Sequence, residues 1–260
     1  SVKDFIKMAN ILAIDTTTSS CSAALSSGDE LITKCDLAER SHTKLILPMI
    51  DEILSKSSLT LDKLDYIAFT AGPGSFTGIR VGFGIVQGLA YGSNIPVLPV
   101  SSLETLAYTA IRKLKIKKDL NIVPIIDARM NEIYWAKFSY KSGILSRDSK
   151  DCVTSPQCLK DSIELPVILI GNIIDYNNQT SENTLDLDHI VMLPEAQDVL
   201  NIAQLHLKKG LGIDIQEVSP IYLRNNIKWE KRVEIQATIQ QHIDHAISST
   251  INLPSDTTEE

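Results

Sequence analysis

Apolar positions along this chain switch repeatedly between a period of two and a period of about 3.6, so strands alternate with helices. The first apolar run, Asn10 to Ile14, is short and uninterrupted and ends at Asp15, as a strand buried on both faces does. Thr16 to Ser20 is a hydroxyl-rich turn. Cys21 to Leu25 reads as a second strand, Ser27 to Asp29 as a hairpin turn, and Glu30 to Leu37 as a third strand. Ser41 is placed to cap a helix whose apolar positions Leu45, Met49, Ile50, Ile53 and Leu54 recur at helical spacing. Pro48 lies inside that pattern and Ser57-Ser58 ends it. Asp65 to Phe69 is the next strand, and Gly78 to Tyr91 a helix with Gly92 as its C-terminal stop. A strand within Ile95 to Val100 precedes a helix over Leu103 to Leu114, capped by Ser101 or Ser102. The basic run Lys113 to Lys118 then reads as a linker or solvated face.

The second half restarts the same sequence of elements. Ile122 to Ile126 is a strand ending at Asp127. Asp127 to Met130 makes a turn, and Glu132 to Phe138 alternates as the next strand. The order strand, aspartate, turn, strand matches the opening without matching its residues, which predicts a duplicated architecture. Asp151 to Thr154 is a strand, Pro156 to Lys160 a short helix, Leu165 to Ile170 a strand closed by Gly171-Asn172, and Ala196 to Lys209 a helix. Tyr176 to Asp188 reads as loop. The predicted class is α/β with two related lobes, over residues 10–115 and 116–232. An N-terminal extension or cloning remnant occupies 1–9, and a polar flexible tail 233–260.

The run Ala71 to Gly92 carries the most distinctive pattern. A glycine-rich turn between strand and helix often cradles phosphate. Here Gly72, Gly74 and Gly78 match neither a Walker A loop nor Gly-x-Gly-x-x-Gly, and Pro73 removes a donor. Ser75 or Thr77 is the natural helix cap. Glycines continue inside the helix, where each costs about 0.5–1 kcal/mol relative to alanine. Gly78 and Gly82 share one face; Gly84 and Gly88 share another, roughly 120° away. Two readings follow: glycine for internal packing, or two small-residue faces of which one docks a partner together with the Ser41 to Lys56 helix.

Asp15 and Asp127 end corresponding strands, where ligands bind in open α/β sheets. With the hydroxyls of Thr16 and Thr17 they either close turns or hold a magnesium–nucleotide group. His42 is either a satisfied helix-terminal residue or a base. Gly-x-Ser-x-Gly is absent, and no serine–histidine–aspartate order has motif context, so no catalytic residue is assigned.

The net charge of −7 argues against nucleic-acid binding by bulk electrostatics, while leaving room for a local basic patch. The 4 cysteines form no metal spacing, so no metal site is expected; they read as free buried or half-buried thiols. No apolar stretch is long enough to span a membrane and the N-terminus lacks a secretory pattern, so a cytoplasmic protein is expected.

Six segments together carry a family resemblance. They are Ile11 to Thr16, Ser41 to Pro48, Ala71 to Gly82, Gln87 to Ala90, Asp127 to Tyr134 and Ile221 to Asn225. The chain resembles the bacterial TsaB (YeaZ) family through residue 229. The resemblance implies the two-lobed fold of the actin, hexokinase and Hsp70 superfamily. It also implies a part in forming N6-threonylcarbamoyladenosine at position 37 of tRNAs that read codons starting with adenine. In that scheme another enzyme makes threonylcarbamoyl-AMP, and the catalytic subunit TsaD transfers the group. The chain supports TsaD as a heterodimer, and the ATPase TsaE joins. tRNA is met through the complex, and the same surface allows a homodimer when TsaD is missing. Leu45, Met49, Ile53, Gly78, Gly82 and Val86 are the expected partner surface. The chain departs from the catalytic relatives: Ile46 stands where a second histidine would follow His42, and Thr17 where nucleotide-binding members carry glycine. Asp15, Thr16, Thr17 and Asp127 are therefore expected to form a weak or vestigial nucleotide site. ATP or ADP and Mg2+ then belong to the assembled complex, not to this chain. The alternative is a stand-alone small-molecule kinase or ATPase; a peptidase is disfavoured.

Overall fold

The computed structural model describes residues 9–38, 41–164, 166–172, 189–210 and 212–223. By internal contacts the chain divides into a unit spanning Ser1–Leu223 and a second spanning Arg224–Glu260; every described residue belongs to the first. The expected loop at 176–188, the tail at 233–260 and the Arg224-Asn225 end of the last motif lie outside the described residues.

The first sheet runs β3(Glu30–Leu37)-β2(Ser20–Ser27)-β1(Ile11–Asp15)-β4(Tyr66–Gly72)-β5(Val97–Ser101). β1 is antiparallel to β2 and parallel to β4, and β4 is parallel to β5. The second sheet runs β10(Cys152–Thr154)-β7(Glu132–Trp135)-β6(Leu120–Arg129)-β11(Val167–Asn172)-β12(His189–Ile190). β6 is likewise antiparallel to β7 and parallel to β11, which is parallel to β12. The two sheets thus share order and sense, and the α/β fold with two related lobes read from the sequence is present.

Faces are assigned by side-chain size. Leu12, Ile14, Leu25 and Phe69 point to the side covered by α1(His42–Lys56) and α2(Phe76–Ser93). Ala13, Ala24 and Ala68 point the other way, and their small side chains let α5(Ala196–Lys208) lie close to the sheet through Ala196 and Ala203. α5 follows the second sheet in sequence, yet it covers the first. Conversely, α3(Ser102–Lys113) follows the first sheet and packs Leu103, Leu106 and Ala110 on Ile122, Phe138 and Ile170 of the second. α4(Pro156–Ser162) seals the remaining face through Leu159.

The two exchanged helices are joined by a polar staple. Asp198, fully buried, accepts from Arg112 Nε at 3.0 Å and Nη2 at 2.8 Å and from the Thr109 hydroxyl at 2.8 Å. Glu195 pairs with Arg112 and Lys113. The Asp198 hydrogen bonds raise the guanidinium's pKa above its ordinary value.

Several expectations are corrected. α2 passes Gly92 and stops at Asn94, a left-handed cap at φ 53°. Ser41 precedes α1 but makes no side-chain cap; its carbonyl accepts from the Lys44 and Leu45 amides instead. Glu132 to Phe138 is broken into β7 and β8(Phe138–Lys141), both in one register on β6. The break falls at Ala136, opposite Pro124, which has no N–H to give the ladder. β9(Ile144–Arg147), pairing with β8, was not expected. Cys35 and Cys158 are exposed, because one sits on the edge strand β3 and the other on the short α4.

Asp198→Ala would leave the Arg112 guanidinium without its buried partner, at a cost of about 3 kcal/mol. A urea melt should show a clearly lower midpoint, and an unchanged midpoint would deny the staple its role.

Candidate functional site

Asp15 closes β1 and is fully enclosed. Its Oδ1 accepts from the Thr17 amide at 3.0 Å, the Thr17 hydroxyl at 2.7 Å and the Thr70 hydroxyl at 2.6 Å. Its Oδ2 has no hydrogen-bond partner among the described residues. Burial raises the carboxyl's pKa above the ordinary carboxylate range; the hydrogen bonds and nearby His42 offset this only in part. His42 starts α1 and donates Nε2–H to the Thr18 carbonyl at 2.8 Å, since a carbonyl can only accept. It is a satisfied helix-terminal residue that ties α1 to the β1–β2 turn.

The glycine run sits directly on that turn. The Ser75 amide donates to the Thr17 carbonyl at 2.7 Å, and the Thr16 hydroxyl donates to the Gly78 carbonyl at 2.8 Å. A Cβ on Gly74 would stand 2.3 Å from the Thr17 carbonyl oxygen. One on Gly78 would stand 2.1 Å from the Thr16 carbonyl oxygen, and one on Gly82 2.4 Å from Thr16 Oγ1. Ser75 caps α2 by accepting the Gly78 amide at 3.3 Å. Gly72, at φ +120°, lies against the chain's later segment: its Cβ would meet the Ile221 carbonyl oxygen at 2.7 Å, and the Ile221 amide donates to the Ala71 carbonyl at 2.8 Å.

These residues do not fit a magnesium–nucleotide group at Asp15. Oδ1 is taken up by protein hydroxyls, the carboxylate is enclosed, and the loop that would cradle phosphate fills the space over Thr16 and Thr17. Asp127 closes its own hairpin, accepting the Arg129 amide at Oδ1 at 2.7 Å and pairing through Oδ2 with the Arg129 guanidinium at 3.2 Å. Each aspartate thus accepts the amide two residues on and closes a turn. Among the described residues no three or more histidine, cysteine, aspartate or glutamate side chains group as a metal site.

The expected partner surface needs correction. Met49, Ile53, Gly78, Gly82 and Val86 are buried in the chain's own core, and Leu45 is half-buried against it. Gly78 and Gly82 are the stripe that meets Thr16. The outward positions are Leu47 (48% exposed) and Pro48 on α1, with Gly84, Gly88 and Tyr91 on α2. A Cβ on Gly84 or Gly88 would meet nothing within 4 Å.

Sequence reasoning missed one cluster. Phe76 and Tyr222, 43% and 39% exposed, lie with ring centroids 5.6 Å apart. The Arg80 guanidinium stacks on the Phe76 ring at 3.7 Å from its centroid, and its Nε donates to the Tyr222 hydroxyl at 3.4 Å. Phe76 and Arg80, at helical spacing i, i+4, were the available signal; Tyr222 is far away in sequence.

Residues 35–231 match the family model described as TsaD: tRNA N6-adenosine threonylcarbamoyltransferase. The chain is 38% identical to the tRNA threonylcarbamoyladenosine biosynthesis protein TsaB of Haemophilus influenzae, over 85% of this chain and 96% of that protein. It is 37% identical to the protein of the same name from Escherichia coli, over 85% of this chain and 97% of that one. YeaZ from Pseudomonas aeruginosa superposes with a TM-score of 0.71 at 31% identity, covering 83% of this chain and 100% of that one. Another crystal structure, described as similar to peptidase YEAZ from Pseudomonas aeruginosa, gives 0.72 at 32% identity, covering 84% of this chain and all of that one.

The glycines separate by role. Gly78→Ala should lower stability by about 2 kcal/mol or more, because the Thr16 backbone cannot retreat cheaply. Gly84→Ala and Gly88→Ala should each raise it by about 0.5–1 kcal/mol. Urea midpoints check both signs. Asp15→Asn tests the enclosed carboxyl. A carboxyl whose folded pKa is raised binds more protons folded than unfolded, so wild-type stability falls as pH rises from its ordinary value of 3.8 toward the raised one. The wild type should therefore lose ground to Asp15→Asn as pH rises from about 4 to 7; a pH-independent difference would exclude a raised pKa.

Proposed function

The chain belongs to the TsaB family, and from that premise we propose that it is a non-catalytic supporting subunit in forming threonylcarbamoyladenosine on tRNA. The extent of its likeness to proteins named TsaB carries the reading, with 38% identity across 96% of a relative's length. The transfer itself falls to TsaD, which this chain holds as a heterodimer, with TsaE joining the assembly and any ATP or ADP with Mg2+ acting there. tRNA is met by the complex.

The site supports a supporting role in two ways. Asp15 is enclosed by Thr17, Thr70 and the glycine loop, which weighs against the alternative of a stand-alone kinase or ATPase. The outward side of α1 and α2 offers Leu47, Pro48, Tyr91 and the bare backbone at Gly84 and Gly88, where another helix can approach closely. The inner side of the same two helices is already used against the sheet. A second copy of the chain can use the same face when TsaD is absent.

Purified chain, TsaD, TsaE, threonylcarbamoyl-AMP, ATP and unmodified tRNA should together yield modified adenosine, and omission of this chain should abolish it. Turnover of ATP with small-molecule acceptors by the chain alone would favour the kinase alternative. Gly84→Arg and Gly88→Arg, both at positions where a Cβ meets open space, should not lower the melting midpoint and should weaken TsaD binding at least about tenfold by calorimetry. Undiminished binding would move the interface elsewhere.

A further inference from the structure

We infer that the Phe76–Arg80–Tyr222 cluster is a contact for single-stranded RNA, made by this chain directly. The inference rests on the proposed role in tRNA modification and adds to it a site on this subunit. The cluster combines two half-exposed aromatic rings with one exposed guanidinium. Stacking on Phe76 fixes the plane of Arg80, and the Tyr222 hydroxyl occupies its Nε. Its two Nη groups are left to a ligand: among the described residues no carboxylate pairs with Arg80. A guanidinium held in one orientation, with its fork open, suits a phosphate oxygen pair, and an aromatic face beside it suits an unpaired base.

The cluster is not required to seal the fold. The Ile221 amide bond to Ala71 and the close approach at Gly72 already hold the segment that carries Tyr222. The sequence next to it points to the same ligand. Residues 224–232, directly after Tyr222 and Leu223, contain Arg224, Lys228, Lys231 and Arg232 against the one acid Glu230, with Trp229 among them. In a chain of net charge −7 this is a local reversal of sign in the sequence that follows Tyr222. A guanidinium set on exposed rings, followed in sequence by a basic run, favours a polyanion with stacking bases over an acidic protein surface, which offers carboxylates and no flat rings.

The test uses the full chain, alone and in the reconstituted complex, with an anticodon stem–loop RNA and a fully paired duplex of equal length. Fluorescence anisotropy should show preference for the looped RNA. Arg80→Ala and Tyr222→Ala should each weaken binding about five- to tenfold, and Arg80→Ala should lower the salt slope by about one. Arg80→Lys, which keeps the charge and loses the fork, should fall between wild type and Arg80→Ala. RNA carrying 4-thiouridine in the loop should cross-link, within the complex, to peptides containing Phe76 or Tyr222. Wild-type affinity in the variants, or cross-links confined to other peptides, would overturn the site. So would loss of TsaD binding with RNA binding intact, which would make the cluster a protein contact. The same samples report modified adenosine: unchanged KM for tRNA in Arg80→Ala removes this contact while the supporting role stands, whereas no product from the wild-type complex removes that role itself.

Discussion

The structure turns on the absence of space between the glycine run and the Thr16–Thr17 backbone. Gly74, Gly78 and Gly82 each face that turn at distances no Cβ can occupy. Three consequences follow. The loop covers the end of β1, so Asp15 is left among hydroxyls instead of at the mouth of a crevice. α2 is drawn onto the sheet by its Gly78–Gly82 side, which commits that side to the fold. The Gly72 end of the same run lies against Ile221 and brings Tyr222 beside Phe76. One close approach therefore decides what is inside, what is outside, and which distant segments meet.

The duplicated sheets are bound together by exchange of helices. α3 leaves the first sheet to cover the second, and α5 returns from the second to cover the first. A hydrophobic contact alone would let these helices slide. The buried Asp198 carboxylate, held by Arg112 from two nitrogens and by Thr109, fixes their register. Opening one lobe against the other would have to expose or break that pair, so the fold favours a rigid platform over a hinged clamp.

Much of this was legible in the sequence because its signals are local. The uninterrupted apolar run that ends at Asp15, the strand at Asp65 to Phe69, helix caps placed at Ser75 or Thr77 and at Ser101 or Ser102, and the restart of the pattern at Ile122 depend only on neighbouring residues. The failures involve distant partners. Pro124 breaks a strand that lies across from it, not its own. Helix periodicity groups Gly78 with Gly82 and Gly84 with Gly88, but it does not say which pair faces Thr16. Choosing the wrong pair put Met49, Ile53 and Val86 on the surface, although their apolar spacing is what a core-facing stripe also requires. Phe76 and Tyr222 are too far apart in sequence for any local pattern to join them.

The contrast between the two glycine pairs bears directly on function. Gly78 and Gly82 have a cause within the chain, because alanine there would collide with Thr16. Gly84 and Gly88 have none among the described residues: each faces open space in an 18-residue helix, where glycine costs about 0.5–1 kcal/mol. Neither position has a backbone conformation that needs glycine. Among the described residues nothing returns the stability that a helix gives up at these two exposed positions one turn apart, and the docking face proposed above would account for it. Close approach by another helix, as in the proposed assembly, would supply that return on a face that the described residues leave uncovered.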